Sequence, residues 1–279
     1  MKNVPACDFA VIGGSGTLSI DFPEELGLSH VKLIEDGMTF ETPYGVSPAF
    51  KHFTVTAADG ETRHVLTCRM HGWRRGVTRR QASQQVFWVL REAGVKRIIA
   101  EGGVGCISHL LKPRDVVVPH DYMDFSMRKD TGLDDGYLLI MREALCPGLR
   151  QVLVKTAGEI TPYRLFDRGV YAVTDGRHFE SPAEINFLRI AGADIVGQSL
   201  CPEVYLAREI GACYAGIYLV VNYAEGVVEP WEHRELEEIF YTEGYVLGRV
   251  IIEALRVVPQ DMSCNCSSLR KETLLKGIY

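Results

Sequence analysis

The sequence predicts a single α/β domain. Three observations lead there: short apolar runs alternate with helix-patterned stretches from end to end, several of those runs stop at glycine-rich segments, and 279 residues at 47% hydrophobic and 24% charged can bury a large core. The formal net charge of −6 argues against a nucleic-acid partner, which wants a basic surface, but leaves room for a small anionic ligand in a local pocket. No apolar run approaches the ~20 residues of a membrane span. The opening residues, Met1 to Cys7, lack the apolar core of a signal peptide. A soluble cytoplasmic protein with no membrane partner is expected.

The first strand is Phe9 to Ile12, a short apolar run closed by Gly13-Gly14-Ser15-Gly16. That loop matches neither the Walker nor the dinucleotide spacing. It is either a tight turn or a cradle offering backbone N–H groups and a hydroxyl to an anion. Val31 to Ile34, Phe50 to Ala57 and Arg63 to Cys68 read as strands, with Asp59-Gly60 as a hairpin turn. The last of these runs into Arg69-Met70-His71-Gly72. On an extended segment Arg69 and His71 point the same way, and both can donate to an oxyanion. Arg74, Arg75, Arg79 and Arg80 read as a solvated basic loop.

Thr78 to Ala93 has helical spacing, with Gly94 past its end. Lys96 to Ala100 is a strand, followed by what reads as a second glycine-rich turn, Glu101 to Gly105. Asp115 to Val118 is another strand, followed by His120 to Asp124. Residues 127 to 148 are polar and turn-rich and read as a long surface excursion, mobile or interfacial. Pro147 to Gly158 reads as helix.

Val170 to Thr174 is a strand, and Ser181, Pro182 and Glu184 sign the start of a helix with an N-cap, a first-turn proline and a capping-box carboxylate. Phe179 and Glu180 stand on the corner between them. They are either a core ring and a solvated acid, or a ring beside an acceptor for a flat ligand with an N–H edge. The helix ends at Gly192. Asp194 to Gly197 is a short strand, and Ser199 precedes a helix begun by Pro202 and closed at Gly211, a favourable place for an anion. Cys213 to Val221 is a long apolar strand emerging at Asn222. That amide is structural if the backbone satisfies it and a ligand reader if it faces a cavity. Glu232 to Leu255 is a long amphipathic helix with His233 in its first turn, either a neutral working histidine or a surface residue. Residues 1–260 form the domain, and 261–279 read as a polar, peripheral tail.

The eight cysteines are scattered and form no C-x-x-C pair, which disfavours a structural zinc site, and no metal is expected. Cys264-Asn265-Cys266 is either a redox-sensitive, disulfide-forming tail or two plain thiols, and the rarity of cytosolic disulfides favours the second.

Ser15, Arg69 with His71, Gly102-Gly103 and Ser199 all follow strands and all offer anion donors. Phe179-Glu180 and Asn222 offer a site for a planar heterocycle. Ligands of open α/β sheets bind at the carboxyl ends of strands, so phosphate plus a planar base is a coherent pair.

With these residues the sequence resembles the trimeric purine nucleoside phosphorylase and methylthioadenosine phosphorylase family, over roughly residues 8 to 255. The most specific matches are Gly13-Gly14-Ser15-Gly16, Gly192-Ala193-Asp194-Ile195-Val196-Gly197 and Pro202-Glu203-Val204-Tyr205-Leu206-Ala207-Arg208-Glu209. The resemblance implies a central mixed twisted sheet, partly barrel-like and flanked by helices, in a homotrimer or dimer of trimers. It implies a pentosyltransferase of purine salvage that needs no cofactor and takes inorganic phosphate as co-substrate. Phosphate would be held by Ser15, Arg69, His71, Ser199 and the backbone at Gly103. The base would be held by Phe179, Glu180 and Asn222, with Asn222, His71 and Glu180 catalytic. The sugar would meet His233 and Gln198, the latter standing where the family usually has Met. The order Arg69-Met70-His71, Glu180 and Asn222 fit the branch that reads 6-oxopurine nucleosides (inosine, guanosine). The alternatives are the methylthio branch, acting on methylthioinosine or methylthioadenosine, and a phosphate-independent nucleosidase. Glu101 replaces a Thr or Asn turn, and facing the pocket it would repel phosphate.

Overall fold

A computed structural model describes residues 3–134, 136–228, 230 and 232–274. The chain forms β1 (Phe9–Ile12), β2 (Val31–Met38), β3 (Glu41–Thr42), β4 (Gly45–Val46), β5 (Phe50–Thr56) and β6 (Thr62–Cys68), then α1 (Arg79–Glu92) and β7 (Arg97–Cys106). Next come β8 (Val116–Val117), β9 (Asp121–Asp124), β10 (Tyr137–Leu139), α2 (Pro147–Ile160), β11 (Leu165–Phe166), β12 (Val170–Val173) and α3 (Pro182–Ala191). The last elements are β13 (Ile195–Gly197), α4 (Leu200–Glu209), β14 (Cys213–Tyr223), α5 (His233–Val257) and β15 (Arg270–Glu272).

The main sheet has the order β11-β8-β14-β7-β1-β6-β5-β2 and is mixed, as expected: β14-β7-β1-β6 run parallel, while β2-β5-β6 form an antiparallel edge. A branch leaves this path at β7, whose end at Gly105 and Cys106 pairs antiparallel with β13, and β13 continues to β12 and β9. Curling through β13 gives the sheet its partly closed shape. One face packs on α1 and α4 through Val86, Phe87, Leu90, Val204 and Leu206. The other packs on α2 and α5 through Leu149, Leu153, Leu247, Val250 and Ile251. At ~25 cal/mol per Å² of apolar area buried, these two layers are the main stabilising term.

Local signals set several boundaries as expected. Gly60 adopts φ 88° in the β5–β6 hairpin. Thr78 caps α1, its side chain accepting from Gln81 N at 3.2 Å. At α3 the full capping box forms: Ser181 N donates to Glu184 Oε2 at 2.8 Å and Glu184 N to Ser181 Oγ at 3.3 Å.

Three expectations about the backbone do not hold. Glu101 to Gly105 is not a turn but the second half of β7, since β14 pairs with it in parallel through Cys106, with a bulge between Val220 and Asn222. Arg69 and His71 do not alternate along a strand, because β6 ends at Cys68 and Met70, His71 and Gly72 take left-handed φ values of 48°, 55° and 72°. Residues 127–148 are anchored rather than loose as far as they are described: Arg128 and Thr131 are buried, and Arg128 Nη2 donates to Thr174 O at 2.9 Å and Gln198 O at 3.0 Å. Its polar residues anchor the segment instead of solvating it.

The C-terminal stretch is likewise docked as far as it is described. β15 pairs antiparallel with β10, Cys266 and Leu269 are buried, and Arg270 stacks on Tyr137. Residues 275–279 of the expected tail lie outside the described residues.

Candidate active site

The carboxyl ends of β1, β7, β12 and β14 converge on a cavity of about 310 Å³, within the size range of small-molecule sites. Its lining brings together Ser15, His71, Gly103 and Ser199 with Phe179, Glu180, Gln198 and Asn222.

At one end, the loop after β1 lies against β7. Gly103 N donates to Ser15 Oγ at 2.9 Å, so the hydroxyl is fixed at the cavity wall with its own proton free to donate. Gly14 has no room for a side chain: a Cβ would lie 2.2 Å from Glu101 O and 2.6 Å from His71 Nε2. Glu101 does not face the cavity as an anion. It is fully buried, and its Oε1 accepts from Gly14 N at 2.5 Å, Thr17 Oγ1 at 2.7 Å and Thr17 N at 3.1 Å. Burial is the main cause raising its pKa above the usual carboxylate range, partly offset by those hydrogen bonds. The residue that threatened to repel an anion is thus the tether of the loop that would hold one.

His71 is buried, and its Nδ1 meets Glu203 Oε1 at 2.7 Å. Tyr214 OH donates to Glu203 Oε2 at 2.8 Å. With Glu203 taking the Nδ1 proton side, Nε2 is left facing the Gly14 loop. Ser199 Oγ lies 3.4 Å from Tyr171 OH at the start of α4.

At the other end stands the β12–α3 corner. Gly176 (φ 77°) and Arg177 (φ 73°) turn the chain, and a side chain at Gly176 would collide with Gln198 Oε1 at 2.0 Å. Phe179 is half exposed, whereas Glu180 is buried and accepts from Thr174 Oγ1 at 2.5 Å. Asn222 is buried too: its Nδ2 donates to Tyr223 O at 2.7 Å, and its Oδ1 has no protein partner among the described residues. A buried polar atom without a partner at a cavity wall is a place where a ligand group restores a hydrogen bond.

Two expected site residues lie elsewhere. Arg69 stands just before the left-handed break and lines a neighbouring groove, where its Nη2 donates to Asp21 Oδ1 at 2.6 Å and Ile20 O at 3.1 Å. His233 is exposed at the first residue of α5, and that helix instead presents Leu236 and Phe240 to the cavity. In the opposite direction, Arg79 is not part of a solvated loop. Its guanidinium lies 3.9 Å from the Trp73 ring centroid and donates to Gln198 Oε1 at 2.8 Å and Asp175 O at 2.6 Å, on the cavity wall. Burial lowers its pKa. Only its place in the first turn of a helix, packed back on the strand ends, could have marked it. Glu203 was visible in the Pro-Glu-Val match, but its contact with His71 spans 132 residues and has no local signal.

A model of the phosphorylase superfamily matches residues 8–256 of the chain. A protein of Pyrococcus furiosus named 6-oxopurine nucleoside phosphorylase is 31% identical over 275 residues, 94% of this chain and 97% of its own length. A protein of Methanopyrus kandleri named probable S-methyl-5′-thioinosine phosphorylase is 38% identical over 188 residues, 65% of this chain and 72% of its own length. Among solved structures, a methylthioadenosine phosphorylase from an antarctic soil metagenomic library superposes with a TM-score of 0.76 at 24% identity, over 96% of this chain and 91% of that one, a likeness of fold.

Proposed function

As the chain belongs to the phosphorylase superfamily, we propose that it is a purine nucleoside phosphorylase acting on 6-oxopurine nucleosides, cleaving inosine or guanosine with phosphate to free base and ribose 1-phosphate. The observation that carries this reading is the pair Glu180 and Asn222, both buried and both lining the cavity. A carboxylate accepts from the N1–H of a 6-oxopurine but would face the bare N1 of adenine unfavourably. The Asn222 amide has two N–H groups, one of them held by Tyr223 O, and the second can donate to N7 or O6 as negative charge builds on the leaving base. Phe179 packs on the ring. Ser15, His71, Ser199 and the backbone at Gly103 position the phosphate, and the guanidinium of Arg79 also lines the cavity. Phosphate attacks the anomeric carbon of an oxocarbenium-like sugar, so the protein acts by positioning and electrostatics, with no cofactor. Cytoplasmic purine salvage as a homotrimer or dimer of trimers belongs to the same reading; the exposed pair Phe125–Phe187, with Met127 and Ile190, gives it an apolar face to cover.

A second reading has its own support. With Leu236 and Phe240 lining the cavity where a His233 contact was expected, the wall suits an apolar 5′ substituent, as in methylthioinosine, which keeps the same 6-oxopurine base. Initial rates with inosine, guanosine, adenosine, methylthioinosine and methylthioadenosine, each with and without phosphate, separate the readings. Phosphate-dependent cleavage of the 6-oxopurine substrates is expected, with adenosine at least about 10²-fold slower. Equal rates on adenosine and inosine would remove the base-reading role of Glu180 and Asn222. Cleavage without phosphate would make the enzyme a nucleosidase.

Glu203 is a positioning residue in this scheme. Glu203→Gln should raise the KM for phosphate about 10- to 100-fold by letting His71 turn or change tautomer. The KM for nucleoside should stay within about twofold, since Glu203 does not line the base end. A matched rise in both constants would mean that Glu203 only stabilises the fold.

A further inference from the structure

Four of the eight cysteines that looked scattered converge in the fold. Cys146 caps the start of α2, Cys213 opens β14, and Cys264 and Cys266 follow α5. Their four Sγ atoms all lie within 4.8 Å of one another, the nearest recorded pair, Cys213 and Cys264, being 3.4 Å apart, and all four are free thiols. No ligand pair at C-x-x-C spacing marks the set, because the fold draws it from three separate segments.

Four sulfurs around a zinc ion at ~2.3 Å in a tetrahedron sit ~3.8 Å apart, a spacing this cluster meets with little movement. Thiolate sets in tetrahedral array select zinc among the common divalent ions, and the N-terminus of α2 favours a thiolate at Cys146. Cys146 and Cys266 are buried and Cys213 and Cys264 half buried, so the ion would be sheltered while keeping an entry path. We propose that Cys146, Cys213, Cys264 and Cys266 form a structural tetrathiolate zinc site. On binding, each thiol releases its proton to solvent as its sulfur takes up the metal, with no change of oxidation state.

The site is remote from the chemistry. Cys213 and Asn222 stand nine residues apart along β14, ~30 Å at strand rise, with Asn222 at the cavity and Cys213 at the opposite end. The metal would instead pin the C-terminal stretch, with β15 and its pairing to β10, onto the start of β14 and α2. Arg208 Nη1, donating to Cys266 O at 2.9 Å, already holds the same point.

Full-length protein should be purified in reductant, without chelator or added metal, and its metal content measured by elemental mass spectrometry. About one zinc per chain is expected, released when a mercurial blocks the thiols. Cys266→Ser should lose the zinc. Should that variant fail to fold, the wild-type chain reconstituted with Co²⁺ gives an independent reading, through the thiolate-to-cobalt charge-transfer and tetrahedral d–d bands of a tetrathiolate. Chelator should lower the Tm of the wild-type chain by several degrees. Zinc-free protein that yields no cobalt–thiolate bands, or iron in place of zinc, would overturn the assignment. So would an intact mass two hydrogens lower for each disulfide in protein alkylated at lysis.

Discussion

Glu180→Gln is expected to lower kcat/KM for inosine about 10²- to 10³-fold while leaving the KM for phosphate within about twofold. The substitution keeps volume and keeps one oxygen to accept from Thr174, whose hydroxyl already meets Glu180 Oε1 at 2.5 Å. It replaces the second oxygen, or swaps it on rotation, with an amide that donates where the base N1–H also donates. Two donors face to face in a site this buried are a direct penalty on the bound purine, and the penalty grows as the base gathers negative charge and the carboxylate's acceptor role is missing. The phosphate end is formed by other segments, Ser15, His71, Gly103 and Ser199, so its binding should not follow. Steady-state kinetics varying each substrate in turn reads the split. A variant with unchanged inosine turnover would leave Glu180 a corner residue whose burial serves α3 alone.

Glu101→Ala carries the largest expected effect on stability, about 3–5 kcal/mol, or a fall in Tm of roughly 10 °C. The truncation strands three donors at once, Gly14 N, Thr17 N and Thr17 Oγ1, in a site closed to water. It also frees the loop bearing Ser15, so the KM for phosphate should rise about tenfold or more. Glu101→Gln tests the electrostatics separately. Burial raises the folded-state pKa of Glu101 above its unfolded value. Its favourable contribution is therefore fully present below the unfolded value of about 4.3 and is lost as pH rises through the folded value. Denaturant titrations across that window should show wild type losing stability, relative to the neutral Gln variant, as pH increases. A difference flat with pH would mean that Glu101 keeps its charge in the folded protein.

These two residues also mark where the sequence could and could not be read. Glu180 belongs to a corner written locally: Ser181, Pro182 and Glu184 announce α3, Gly176 permits the turn, and the ring and acid fall between them. Strand alternation, glycine stops and caps are all contacts within a few residues, and they positioned most elements and the strand-end residues of the cavity. Glu101 is the opposite case. Its partners lie 84 to 87 residues away, so nothing nearby says that it is buried and bonded, not facing an anion. The extended reading of Arg69-Met70-His71 fails for a subtler reason, since the left-handed turn is signalled at Gly72 but not at Met70 and His71; His71 still reaches the cavity and Arg69 does not. Arg79, Glu203 and the cysteine cluster were hidden by distance in the chain. His233 was placed by resemblance alone, and the helix presents Leu236 and Phe240 to the cavity instead.

The branching of the sheet at β7 has a consequence for how the molecule can move. β7 pairs with β1, whose loop bears Ser15, with β14, which bears Asn222, and through β13 with β12, which leads to Glu180. Both ends of the cavity therefore hang from one ten-residue strand. No hinge line can be drawn between them without tearing its hydrogen bonds, so the site cannot breathe as two lobes do. Admission and release are left to the rim, formed by the half-exposed Phe179 and by Leu236 and Phe240 of α5, above a frame that moves as one piece.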